Sequence, residues 1–262
     1  MKTARPLILF TAVLLIVGLA CNATGGSPVQ TQAPQQPAQQ PTQPPAPVAT
    51  EAPATEQPTA TEAPAVTEAP AASQFFTEEF DQDPGSNWSV DILGPGADAN
   101  KDSIKTDFAN GNMRIEIPKQ DLYYYYTYNG YSYDDVRIDL RADNRGVNTN
   151  NVSLTCRGGQ DGWYEWSVGS GGDWYLYAVT DKYNLITNGG TNFLKQGKDV
   201  NEYGLVCKGK QISMFINGKE IKQSPVTDNK YALTSGSVGF NISSLNVTPV
   251  IVEVEWFKVS QP

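Results

Sequence analysis

Apolar and polar side chains alternate at every second position along most of the chain after residue 73. Successive side chains of a β-strand point to opposite faces, so this period indicates strands with one buried face. No segment sustains the 3.6-residue period of an amphipathic helix. The sets predicted to face inward are Met113-Ile115-Ile117, Val136-Ile138-Leu140, Val152-Leu154-Cys156, Tyr164-Trp166-Val168, Tyr175-Tyr177-Val179, Tyr203-Leu205-Cys207, Ile212-Met214-Ile216 and Val250-Val252-Val254-Trp256.

Short turn sequences separate these predicted strands. Asn110-Gly111 and Asn217-Gly218 are strong hairpin signals, because both central residues of a type I′ turn need a positive φ. Gly209 lies between two further strands, and residues 169–173 form a looser glycine-rich loop. Many short strands joined by such turns predict an all-β fold, an antiparallel two-sheet sandwich with its sheets about 10 Å apart.

The first residues have the pattern of a targeting segment. Lys2 and Arg5 precede an apolar run over residues 7–19, which is too short for a membrane span of about 20 residues. The run ends at Cys21, and this pattern resembles a bacterial lipoprotein signal peptide over residues 1–20, with Cys21 as the lipidated residue. An uncleaved N-terminal anchor is the alternative. Both interpretations predict that the rest of the chain is extracytoplasmic and attached to the membrane.

Residues 21–72 have the composition of a disordered stalk. They are rich in Pro, Ala, Gln, Thr and Glu, repeat the tetrapeptide Thr-Glu-Ala-Pro, and contain no aromatic residue. Such a segment cannot bury enough apolar surface to offset its ordering entropy. Its reach would be roughly 40 Å as a flexible coil and on the order of 150 Å when fully extended. The remaining residues, 73–262, are predicted to form one domain with a substantial core.

Composition excludes several kinds of chemistry. The net charge of −9 argues against nucleic acid as a partner, and the chain contains no histidine, the usual general base of nucleophilic triads. Cys156 and Cys207 both lie on the predicted inward, apolar face of their strands. In an oxidising compartment they could form a disulfide, and two buried free thiols are the alternative.

The order of motifs resembles the concanavalin A-like lectin/glucanase superfamily. Within it, the chain is most similar to the laminin-G-like jelly-roll domains of bacterial surface lipoproteins, and a related branch is known as 3-keto-disaccharide hydrolase. The resemblance implies a jelly-roll fold over residues 73–262 and a carbohydrate-related role. It is carried by Phe76-x3-Phe80-Asp81, Trp163-Tyr164-x-Trp166-x-Val168, Asn201-x3-Leu205-Val206-Cys207-x-Gly209, Phe215-Ile216-Asn217-Gly218 and Val254-Glu255-Trp256-Phe257.

The carboxylates do not match a glycosidase. Glycoside hydrolysis needs two carboxyl groups about 5 to 10 Å apart across a cleft. The glucanase relatives carry theirs as Glu-x-Asp-x-x-Glu on one strand, and no such string occurs here. Glu253 and Glu255 share a face of the last strand, where solvation of an edge strand explains them better. We therefore expect no catalytic residues.

A sugar-binding face is predicted from the side chains that alternate with the inward ones along each strand. Trp163 and Glu165 lie opposite the inward set of their strand, Trp174 lies opposite Tyr175 and Tyr177, and Arg157 lies opposite Cys156. If these strands are neighbours, Arg157, Trp163, Glu165 and Trp174 could share one outer surface. There an indole would stack on a sugar ring and the charged groups would bind its hydroxyls. Ordinary strand composition is the alternative.

A run of tyrosines supplies a second candidate surface. Residues 123–126 are four consecutive tyrosines, which place two rings on each face of a strand. Tyr125 on the outer face, with Tyr128 and Tyr131 in a following loop, would form an unusually aromatic surface suited to glycan or protein contact. Cross-strand aromatic packing is the equally weighted alternative.

These observations predict a surface-anchored lipoprotein that displays a non-catalytic carbohydrate-binding or adhesion-type domain. Its expected partners are a carbohydrate or cell-envelope polymer, and the membrane through the N-terminal lipid. A protein-interaction or structural module of the envelope is the alternative, and a glycoside-active enzyme a less favoured one. No cofactor is expected other than a structural calcium ion, for which Asp81 and Glu255 are the candidate ligands.

Overall fold

The computed structural model describes residues 74–146 and 149–262. The predicted signal peptide, Cys21 and the predicted stalk lie outside these residues. Within the described ranges, no helix has the length and apolar character needed to cross a membrane.

The described residues form two antiparallel β-sheets, with strands numbered in chain order. The nine-stranded sheet has the order β13 (Lys219–Glu220), β12 (Gln211–Ile216), β11 (Val200–Lys208), β6 (Val136–Asn144), β16 (Val250–Ser260), β4 (Asn112–Ile117) and β3 (Lys105–Ala109), with β1 (Phe76–Glu78) paired to β16 and β14 (Val226–Thr227) paired to β12.

The seven-stranded sheet has the order β10 (Tyr183–Gly190), β9 (Asp173–Val179), β8 (Gly162–Gly169), β7 (Asn150–Gly159), β15 (Gly236–Ser244), β5 (Tyr123–Tyr133) and β2 (Trp88–Leu93). Among residues 74–146 and 149–262, helix is limited to one turn, α1 (Ala97–Asn100), followed by a 3-10 turn over Lys101–Ser103. The predicted all-β antiparallel sandwich is therefore confirmed.

The core lies between the inward faces of the two sheets. Leu154 and Trp166 from the seven-stranded sheet, and Leu205 and Val252 from the nine-stranded sheet, have no exposed surface. Most predicted inward sets belong to this cluster. Full burial of such a side chain contributes about 1.5–3 kcal/mol, so the alternation of apolar residues determines which face of each sheet turns inward.

One disulfide joins the two sheets through the core. Cys156 on β7 and Cys207 on β11 are bonded, with their Cα atoms 6.8 Å apart. The predicted pairing is confirmed, and the alternative of two free thiols is wrong. The bridge links residues 51 positions apart and connects two separate sheets covalently.

The two Asn-Gly turns are also confirmed. Asn110 and Gly111 join β3 to β4 with φ of 56° and 72°, and Asn217 and Gly218 join β12 to β13 with φ of 50° and 74°. Both central residues adopt the positive φ that a type I′ hairpin requires.

The predicted faces of β9 are wrong. The prediction turned Tyr175, Tyr177 and Val179 inward, but Trp174, Leu176 and Ala178 are the residues of this strand in the core. Directly paired residues of adjacent strands share a face, and Trp174 pairs with the inward Val168. Both alternating sets of β9 are largely apolar, so the sequence pattern did not distinguish them.

A β-bulge corrects the prediction for β16. The pairing of β16 with β6 shifts between Val254 and Trp256, and this inserts Glu255 as an extra residue. A bulge changes the face of every residue after it. Phe257 is therefore fully buried, whereas Trp256, predicted to face inward, is only half-buried.

The inter-sheet disulfide should support much of the stability. Replacing Cys156 and Cys207 together with Ala should lower the free energy of unfolding by about 4 kcal/mol, the chain-entropy value for a loop of this length. Denaturant titration of wild type and variant measures the difference. Cys21→Ala is the control and should unfold like the wild type. A double variant as stable as the wild type would contradict a bridging role.

Candidate functional site

The outward face of the seven-stranded sheet is unusually aromatic. On β5, Tyr124 and Tyr126 enter the core, so Tyr123 and Tyr125 point away from it. The same face receives side chains of β8, β9 and β10, as the cross-strand pairing shows. The aromatic residues described on this face are Tyr123, Tyr125, Tyr131, Trp163, Tyr175, Tyr177 and Tyr183.

A groove of about 720 Å³ lies on this face. Tyr131 and Trp163 supply large apolar surface, with Leu93 along the edge strand β2. Polar side chains lie among them, including Asp91, Asn129 and Thr155. The volume and this mixture of aromatic and hydrogen-bonding groups are typical of a site for a small or chain-like ligand.

The carboxylate of Glu165 lies at the centre of the aromatic face but is not in the groove lining. Only 2% of Glu165 is exposed. The Tyr125 hydroxyl and the Trp163 indole N–H donate to its Oε2 at 2.7 and 3.1 Å, and the Asn241 amide donates to Oε1 at 3.2 Å. Three donors from three strands therefore fix this carboxyl group.

Burial raises the pKa of Glu165 above its ordinary value, and the hydrogen bonds from Tyr125, Trp163 and Asn241 oppose that rise. Desolvation penalises the charged form of an acid, whereas donors stabilise it. Burial also raises the pKa values of Tyr125 and Tyr183. Their hydroxyls therefore remain protonated at neutral pH and can donate hydrogen bonds.

Tyr183 reaches this centre from the far edge of the sheet. Its hydroxyl lies 2.5 Å from that of Tyr125, and because Tyr125 donates its proton to Glu165, Tyr183 is the donor. Its ring lies 6.2 Å from the ring of Tyr123. Strands β10 and β5 are five positions apart in the sheet, which is about 24 Å on a flat sheet. The sheet is therefore strongly curved, and its open face is concave.

Four of the residues predicted to bind a ligand come together on this face. Trp163, Tyr125 and Tyr131 line the groove, and Glu165 lies beside it. The alternation of side chains predicted outward positions for Trp163, Glu165 and Tyr125, and Tyr131 was predicted as part of a loop. The burial of Glu165 under other side chains was not predicted. The residues that bury it, Asn241 and Tyr183, were missed because their strands are distant in sequence.

Arg157 is not on the concave face, so its predicted place beside Trp163 is wrong. Arg157 has a φ of 58°. It lies where the register of the β7–β8 pairing shifts, between Cys156 and Gly159. This conformation turns its side chain toward one end of the sandwich. There its buried guanidinium donates to the backbone carbonyls of Asp134 and Leu233, at 3.0 and 2.9 Å.

Trp174 and Tyr128 also lie elsewhere than predicted. Trp174 is 1% exposed within the core, because it pairs with an inward residue of β8. Tyr128 is 4% exposed and packs on Phe76 and Trp88, with ring centroids 4.5 and 5.3 Å apart. The predicted loop after Tyr126 is a continuation of β5, so the inward alternation extends to Tyr128.

The paired acids of the last strand are held by arginines. The Arg114 guanidinium donates to Glu253 at 2.8 Å, and Arg141 donates to Glu255. Strand β16 lies in the middle of the nine-stranded sheet, so the prediction that solvation of an edge strand explains these acids is wrong. They belong to an ion-paired outer surface on the side of the sandwich opposite the groove.

The calcium prediction gains no support from the geometry. Asp81 and Glu255 line one shallow depression together with Glu79. Glu255 is engaged by Arg141, and the described ranges contain no group of three or more His, Cys, Asp or Glu side chains that could hold a metal ion. Calcium needs six to eight oxygen ligands.

Solved structures share the fold at low sequence identity. A Bacillus subtilis protein of unknown function with a galectin-like fold matches with a TM-score of 0.56 and 11% identity, over 71% of this chain and 94% of that chain. Bacillus licheniformis β-glucanase matches with a TM-score of 0.54 and 13% identity, over 72% and 99% of the two chains. The laminarinase from Flavobacterium sp. UMI-01 matches with a TM-score of 0.52 and 16% identity, over 72% and 100%.

No protein-family model and no curated protein matches the chain. The structural matches establish the fold, which is the concanavalin A-like jelly roll. The resemblance found in the sequence motifs is therefore confirmed at the level of the fold.

The buried Glu165 should make stability depend on pH. The pKa of Glu165 is higher in the folded than in the unfolded chain. Between about 4.5, the ordinary pKa of the group, and the raised value, the folded state therefore holds more protons than the unfolded state does. The free energy of unfolding should fall across that window. Denaturant titrations at a series of pH values should show the fall in the wild type and its absence in Glu165→Gln.

Glu79→Gln, at an exposed position, is the matched control and should keep the wild-type pH dependence. If Glu165→Gln has the same pH dependence as the wild type, then Glu165 does not carry an elevated pKa in the folded state.

Proposed function

We propose that the groove on the concave face binds carbohydrate without hydrolysing it. The observation that carries this proposal is the placement of the Tyr131 and Trp163 rings beside the polar side chains of Asp91, Asn129 and Thr155. Sugar rings have apolar faces and a rim of hydroxyls. Aromatic rings bind the faces, and nearby donors and acceptors fix the orientation of the hydroxyls.

The position of the carboxylates supports binding rather than hydrolysis. A glycosidase needs one carboxyl group to protonate the leaving oxygen and a second on the other side of the bond. Among the described residues that line the groove, Asp91 is the only acid. Glu165 is covered and fixed by three donors, so it cannot touch a substrate in this arrangement.

The structural relatives suggest which carbohydrates to test first. Two of the matched proteins are a β-glucanase and a laminarinase by name. We therefore propose neutral β-linked glucans as the leading ligand class. Because this chain is acidic, an uncharged polymer is also a better candidate than a polyanion.

Loss of a groove aromatic should weaken binding. Trp163→Ala and Tyr131→Ala should each reduce affinity for laminarin at least about tenfold, which corresponds to about 1.4 kcal/mol. Isothermal titration calorimetry of the full chain measures the change, after a glycan array has identified the bound polysaccharides. Trp256→Ala removes a half-buried indole on the other sheet and is the matched control, with wild-type affinity expected.

Two results would overturn this proposal. One is the absence of binding to every polysaccharide on the array. The other is an affinity of Trp163→Ala equal to that of Trp256→Ala. Release of reducing sugar during incubation with laminarin, lost in Glu165→Gln, would instead favour an enzyme.

We also propose that the domain is displayed outside the cytoplasm on a lipid anchor at Cys21. The short apolar run before this cysteine and the proline-rich segment after it support the proposal. In a bacterial host grown with labelled palmitate, the wild type should incorporate the label and Cys21→Ala should not. Ser27→Ala, which leaves Cys21 in place, is the control and should be labelled like the wild type. Equal labelling of wild type and Cys21→Ala would contradict lipidation at Cys21.

A further inference from the structure

The Tyr183 side chain lies over the middle of the concave face, on the solvent side of the buried carboxylate. Tyr183 is 39% exposed, whereas Tyr125 and Glu165 are 5% and 2% exposed. Its hydroxyl bonds Tyr125, and its ring meets the rings of Tyr123 and Tyr177 edge-on. Tyr183 therefore covers the buried Glu165, at the part of the concave face that lies between the groove and the outer side chains of strand β9.

The concave face has a second aromatic area beyond this cover. Tyr175 and Tyr177 stack there, with ring centroids 5.9 Å apart and an interplanar angle of 14°. Of the described aromatic residues on the face, Tyr125, Trp163 and Tyr131 line the groove and the stacked pair does not. Two areas suited to sugar rings thus lie on one face, and Tyr183 lies between them.

We infer that Tyr183 sets the length of saccharide that the concave face accepts. This inference rests on the proposed function, because it concerns how far a bound chain extends from the groove. A chain that fills the groove meets the Tyr183 ring, so it cannot continue over Glu165 to Tyr175 and Tyr177. Oligomers longer than the groove therefore gain no further contacts in the wild type.

The location of Tyr183 makes it separable from the fold. It begins the edge strand β10, which pairs only with β9, and that pairing shifts between Leu185 and Thr187. Tyr183 does not belong to the core cluster of the described residues. Its replacement should therefore remove the cover without disrupting the packing between the sheets.

Two variants separate the ring from its hydroxyl. Tyr183→Ala removes the cover, whereas Tyr183→Phe keeps the ring and loses only the bond to Tyr125. The probe is a size series of β-1,3-linked glucose oligomers titrated calorimetrically into the full chain. In the wild type and in Tyr183→Phe, affinity should rise with length and then reach a plateau. In Tyr183→Ala, the longest oligomers should bind at least threefold more tightly than to the wild type, with the shortest unchanged.

A measurement without ligand tests the cover itself. The Trp163 indole N–H donates to Glu165 beneath Tyr183. Its hydrogen exchange, followed by NMR, should accelerate at least tenfold in Tyr183→Ala and remain within about twofold of the wild type in Tyr183→Phe. The core indole N–H of Trp174 is the internal control and should exchange at the same rate in all three proteins.

The outcomes distinguish the two proposals. If Tyr183→Ala shows the wild-type plateau while Trp163→Ala abolishes binding, the groove binds glucan but Tyr183 does not limit its length. Unchanged Trp163 exchange in Tyr183→Ala would show that Tyr183 is not a cover. If neither wild type nor variants bind any oligomer or any polysaccharide on the array, the proposed function fails and this inference fails with it.

Discussion

The two sheets must each turn one face toward the other, and this constraint determines the position of every functional side chain described above. Within an antiparallel sheet, directly paired residues share a face, so burial of a few residues on one strand fixes the faces of its neighbours. Val168 places Trp174 in the core, and the inward Tyr124 and Tyr126 leave Tyr125 on the concave side. The groove is lined by side chains that point away from the core on the seven-stranded sheet.

The sequence predicted the fold wherever alternation was unambiguous. On β4 and β6, charged residues separate the apolar ones, so only one face could be buried. On β9 both alternating sets are largely apolar, and only the pairing with β8 distinguishes them. The bulge at Glu255 was not predictable either, because an inserted residue is recognised from the register of two strands.

The candidate site was predictable in part for the same reason. Alternation placed Trp163 and Glu165 on the outer face of one strand and Tyr125 on the outer face of another, and the structure brings all three into contact. The cover over Glu165 depends on the curvature of the sheet, which brings Tyr183 on β10 within hydrogen-bond distance of Tyr125 on β5, five positions away in the sheet. A pattern local to one strand contains no information about such curvature. The position of Arg157 was predicted wrongly because its positive φ interrupts the alternation of side chains along β7.

The two outer faces of the sandwich differ in polarity: the nine-stranded sheet carries ion pairs, whereas the seven-stranded sheet carries aromatic rings. Arg141 lies between Glu202 and Glu255, and Arg114 lies between Glu116 and Glu253, so opposite charges neutralise one another along that surface. Such groups remain hydrated and offer little to an uncharged polymer. Contact through this side would have to strip water from paired charges, whereas contact through the concave side would cover aromatic rings.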